Sequence, residues 1–136
     1  MTQTLVDASL EAHLLTFGSL PETHWPNQDF DPPFDGGVFF EVDHIRSQPQ
    51  RLTHGNGERI RGIMQVTIDS EKGAAVTAAE GLAELLVDHF PADMTLTAGD
   101  ETVRVRQTPA IATGFQDGQR WRIAVSIFHE TLKGSP

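Results

Sequence analysis

The sequence predicts an α+β domain: a largely antiparallel five-stranded sheet with two helices packed on one face, in the order α-β-β-α-β-β-β. Three observations predict it. Residues 58–69 alternate, with Ile60, Gly62, Met64, Val66 and Ile68 on one face. Arg59, Arg61, Gln65, Thr67 and Asp69 fall on the other, and only Ile63 breaks the pattern. After the Ser70-Glu71-Lys72-Gly73 turn the period becomes helical, and Ala75, Ala78, Ala79, Leu82, Leu85, Leu86, His89 and Phe90 form one apolar stripe. The C-terminal third then reads as a meander of three strands, at residues 94–97, 102–108 and 119–131. A half-buried strand needs cover, and the amphipathic helix that follows it supplies the nearest cover.

In chain order, residues 4–17 predict the first helix. Thr4 and Asp7 resemble a capping pair, Val6, Leu10, Leu14 and Phe17 give the helical stripe, and Gly18 is placed to end it before Pro21. Residues 18–37 hold four prolines and form an extended arm. Trp25, Phe30 and Phe34 give it more aromatic surface than a plain linker carries. Residues 38–45 (VFFEVDHI) predict a strand. Residues 47–57 are a long polar hairpin loop, ending in Gly55-Asn56-Gly57, that returns the chain into the central strand. His89-Phe90-Pro91 ends the second helix. Ala98-Gly99-Asp100-Glu101 and a loop containing Asp117-Gly118 separate the final strands. In the last of these, Trp121, Ile123, Val125 and Ile127 alternate with Arg120, Arg122, Ala124 and Ser126.

The totals bound the possibilities. A chain of 136 residues makes one domain that buries roughly two-thirds of its unfolded surface. No apolar run approaches the ~20 residues of a membrane span, and no basic segment followed by an apolar core marks a secretory signal. Zero cysteines exclude disulfides, thiolate metal sites and thiol nucleophiles. A net charge of −9, from 19 acidic and 10 basic residues, argues against a general nucleic-acid binder or a protein held on an anionic membrane.

The search for chemistry finds none. Gly55-Asn56-Gly57 begins like a dinucleotide fingerprint, but Ile60 stands where the third glycine belongs and a strand follows instead of a helix. The six histidines (13, 24, 44, 54, 89 and 129) lack the i, i+2 or i, i+4 pairing of zinc sites, and His89 reads as a core-edge histidine. Asp29, Asp31 and Asp35 cluster in the arm without the fixed loop of a calcium hand, and read as turn-forming aspartates beside prolines. No Gly-x-Ser-x-Gly elbow is present. No catalytic, cofactor or metal residue is assigned, and an enzyme is not expected. The informative pattern is cationic: Arg59, Arg61, Arg104, Arg106, Arg120 and Arg122 alternate with apolar residues on predicted strands, opposite the core. One reading pairs them across strands with Glu58, Glu101, Asp69 or Glu130. The other makes them a subunit contact, since arginine suits bidentate pairing with carboxylates.

The Trp25-Pro26-Asn27 arm with Pro32-Pro33, the FFEVDHI strand, Arg61-Gly62-Ile63-Met64-Gln65-Val66, His89-Phe90-Pro91 and the closing Trp121-Arg122-Ile123-Ala124-Val125-Ser126-Ile127 strand occur together. In this combination the chain resembles the tail terminator proteins of long-tailed, non-contractile phages, with their prophage and gene-transfer-agent versions, over residues 5–132. The resemblance implies a virion protein made in the host bacterial cytoplasm. It implies a ring, usually a hexamer, on the head-proximal end of the tail tube, which stops addition of the major tail tube protein. That ring offers the joining surface for the head connector and lets DNA pass without specific binding. A ring needs two unlike patches that close by rotation. Candidate interface residues are Trp25, Phe30 and Phe34 on the arm, Arg51 and His54 on the long loop, and the six strand arginines. Two rival readings stand beside it: another neck protein such as the stopper, and a ligand-binding α+β domain with its pocket under the proline-rich arm.

Overall fold

A computed structural model describes residues 2–18, 21–26, 38–46, 50–51, 58–71, 76–98, 101–118 and 120–133. Two 14-residue strands form its spine, β4 (Glu58–Glu71) and β9 (Arg120–Lys133), antiparallel and paired along their whole length. Their shared register stacks like on like. Met64 faces Ile127, Val66 faces Val125 and Ile68 faces Ile123 on the inner side, while Arg61 faces Glu130 and Asp69 faces Arg122 on the outer side. The alternation legible in each strand is thus doubled across the pair, which fixes the register against a one-residue slip.

Around this spine the sheet is larger than predicted, and mixed. β2 (Phe39–Arg46) pairs antiparallel with β4, and β1 (Glu22–His24) adds a parallel edge beside β2. β5 (Thr95–Ala98) and β6 (Glu101–Val105) continue the other side, giving the order β1-β2-β4-β9-β6-β5. The five-stranded antiparallel expectation is therefore corrected in three places. The arm read as extended over residues 18–37 holds β1, whose backbone completes an edge that sequence periodicity cannot mark in three residues. The region expected to be loop after β6 holds β7 (Ala110–Ile111) and β8 (Phe115–Asp117), both paired with β9. A further short piece, β3 (Gln50–Arg51), pairs with the start of β4.

Together, β6, β7 and β8 behave as one interrupted strand along β9. Val105 faces His129 but Ala110 faces Ser126, and Ile111 faces Val125 but Phe115 faces Arg122, so the chain gains residues between each piece. Such bulges bend a strand and increase its twist. The sheet curls accordingly: α1 (Thr2–Leu15) reaches both β2, through His44, and β5 at the far end. The β8–β9 turn has Gly118 at φ 62, a conformation that glycine adopts without steric cost.

Both helices cover the inner face. Val6, Leu10, Leu14 and Phe17 of the first helical region join Ala79, Ala83, Leu86 and Phe90 of α2 (Val76–His89) and its end in one core with the inner strand residues. Full burial of a leucine or phenylalanine contributes roughly 1.5–3 kcal/mol, so this stripe holds the helices down. Two local expectations fail. Leu85 is 50% exposed, because it lies about a third of a turn away from the line through Ala79, Ala83 and Leu86. Asp7 is buried beside His44 instead of capping α1, which begins at Thr2.

Candidate interface surfaces

The outer sheet face carries two arginine–carboxylate networks. At one end Glu130, 9% exposed, sits between Arg61 on β4 and Arg104 on β6, its direct cross-strand neighbours. Arg104 Nη2 donates to it at 2.7 Å, while Arg59 Nε and Arg61 Nε lie 3.3 Å away. The Arg104 hydrogen bond, opposed by partial burial and aided by Arg61 and the charge of Arg59, holds the Glu130 carboxyl below the usual range. Arg104 also donates to Asp93 at 2.7 Å. Asp93 sits at φ 69, in the left-handed region that Asp tolerates better than most residues. Beyond them Arg106 lies over the Phe128 ring, 5.6 Å from its centre.

At the other end Asp69, 4% exposed, is held by Arg120 and by Arg122 at 3.4 Å. Arg122 also donates to Glu41 at 2.8 Å and Asp117 at 3.2 Å, and Arg120 lies 5.0 Å over the Phe39 ring. The pairing reading is thus realised within one chain for Asp69 and Glu130, with Glu41, Asp93 and Asp117 as partners the spacing did not reveal. Between the networks Ile45, Ile63 and Phe128 lie side by side on β2, β4 and β9.

The remaining expected residues divide. Trp25 is half-buried and packs against the core. Phe30, Phe34 and His54, like Asp29, Asp31 and Asp35, lie outside the described residues, and Arg51 is placed in β3 by its backbone alone. Among the described residues a groove of about 360 Å³ opens between α2 and the β7–β8 region, lined by Glu80, Glu84, Ile111, Gly114, Trp121 and Ile123.

Two polar clusters were not anticipated. On the inner face, His44 Nε2 lies 2.6 Å from Glu11 and its Nδ1 3.5 Å from Asp7. His129 lies nearby, opposite Gly62, where an added Cβ would stand 2.9 Å from its imidazole. Burial, partly offset by Asp7 and reinforced by His44 and Arg106, brings His129 down to about 4. At the helix ends His13 and His89 stack at 4.2 Å. Each Nε2–H donates to the other's backbone carbonyl, at 2.8 and 2.9 Å. The His13 imidazole thus meets the last carbonyl of α2, while the His89 imidazole joins the Thr16 N–H on the His13 carbonyl. The Thr16 hydroxyl adds a third bond to His13, so α1 closes without a left-handed Gly18. Among the described residues no three His, Asp or Glu side chains gather so as to hold a metal ion, and no helix is long and apolar enough to cross a membrane.

What stands out is surface chemistry joined to an internally braced fold, and comparison with known proteins agrees. A solved structure aligns over 100% of this chain and 99% of its own length, with a TM-score of 0.78 at 25% identity, which establishes the fold. No curated protein matches. The family model described as phage tail terminator protein matches residues 5–129. The chain belongs to the phage tail terminator family, whose members are structural components of the phage tail.

Proposed function

We propose that copies of this protein close into a ring, six in the reading taken from the resemblance, on the head-proximal end of the tail tube. The ring ends addition of tube subunits and presents the surface to which the head connector docks. The observation that carries the reading is the family match across residues 5–129. Two features support it: the outer sheet face and the helix side differ in charge and point in opposite directions, as a ring with unlike contact patches requires. A net charge of −9 suits a channel that passes DNA without retaining it.

The test adds purified protein to polymerising tail tube protein and measures tube length by electron microscopy. Tubes that stop growing, with extra density at one end only, are expected. Tubes of unchanged length with bare ends would sink the reading. Density at the head side of already terminated tails, with no effect on growth, would assign the stopper role instead.

A further inference from the structure

The exposed side of α2 carries a line of acidic residues. Glu80, Glu84 and Asp88 recur every four residues and are all exposed, with the 50%-exposed Leu85 beside them, so they form one face pointing away from the core. Gly81 sits in the middle of this face. Glycine is the poorest helix former after proline, and among the described residues a Cβ added there meets nothing within 4 Å. A bare helix backbone flanked by glutamates is what a close-packed neighbour needs. The groove lined by Ile111 and Trp121 adjoins the same glutamates, and Ile111 is 44% exposed.

On the other side of the sheet the chemistry is reversed. Among the described residues Arg59, Arg61, Arg104 and Arg106 stand against Glu130 and Asp93, so this end of the face has more cationic than anionic side chains in a chain of net −9. Its apolar centre is Ile45, 49% exposed, with Ile63 and Phe128. Both helices cover the inner face, so α2's exposed side and this patch look in opposite directions. Two complementary, oppositely directed patches make a head-to-tail contact and not a two-fold one.

We infer that in the ring each copy seats the arginine-bearing outer face of its sheet on the acidic face of α2 of its neighbour. The inference rests on the ring reading above and names its occupant as a second copy of this chain. Arginines complete their pairing on Glu80, Glu84 and Asp88, the Ile45–Ile63–Phe128 row meets Leu85 and Ile111, and Gly81 lets the two backbones approach.

Three variants test it, with assembly read by native mass spectrometry and by negative-stain imaging on tail tubes. Glu80→Lys/Glu84→Lys and Arg59→Glu/Arg106→Glu should each lose the ring, because like charges then face each other. Mixed one to one, they should recover a ring in which the two alternate, and only folded variants can give that recovery. Gly81→Leu should keep or raise the thermal midpoint while abolishing the ring. If wild type rings and the variants ring equally well, or if mixing restores nothing, the seating is overturned while the ring reading stands. Variants that ring but no longer cap tubes would give this face to the tube, again overturning it. No wild-type ring, with or without tubes, would remove the ring reading itself.

Discussion

His129 shows how much a single position depends on its surroundings. In the sequence it is the one histidine of the last strand, with no local partner. In the fold it is 1% exposed, opposite Gly62, and its Nδ1 has no hydrogen-bond partner among the described residues. Its pKa falls from 6.5 to about 4. As pH drops from 6.5 toward 4 the unfolded chain takes up a proton that the folded chain refuses, so stability falls through that window, by ~3 kcal/mol in all. Glu130 contributes separately and lower, since its depressed carboxyl loses stability only below its ordinary 4.5. Urea denaturation of wild type between pH 7 and 5 should therefore show a slope that His129→Leu removes. An unchanged slope in the variant would assign the titration to another group.

At the scale of elements, the two helices are locked where they end. His13 and His89 are 76 residues apart, and each caps the other's last turn while their rings stack. Replacing either with alanine removes a capping bond and a ring contact, and should cost about 1–2 kcal/mol in thermal denaturation. The double variant should cost clearly less than the sum, because either change already breaks the stacked pair. Strict additivity would mean that each histidine supports its own helix alone. The helical stripes were legible because 3.6-residue periodicity is a local property. The reciprocal caps were not, because a histidine at a helix end gives no sign of which distant carbonyl it will meet.

Across the whole molecule, the arginine face divides into two carboxylate networks that sequence spacing alone merges. At the Asp69 end the arginines hold the fold together, since Asp69 is nearly inaccessible and its charge is matched by Arg120 and Arg122. Arg122→Glu would set a carboxylate against Asp69, Glu41 and Asp117, and should destabilise the domain by ~3 kcal/mol. A midpoint within a degree of wild type would show that this network contributes nothing. Loss of assembly in that variant reports unfolding as readily as a broken contact, so Arg59 and Arg106, away from buried Asp69, are the better probes of the surface.

The sequence by itself determined the class of the fold, both helices, the long central strand and the last strand, and the side of the sheet on which the arginines lie. All of these follow from periodicity within a dozen neighbouring residues. Tertiary structure alone decided the parallel edge strand, the bulged run along β9, the exposure of Leu85, and which carboxylate each arginine meets. Those depend on how separate segments register and how far the sheet curls, and local side-chain alternation carries no record of either.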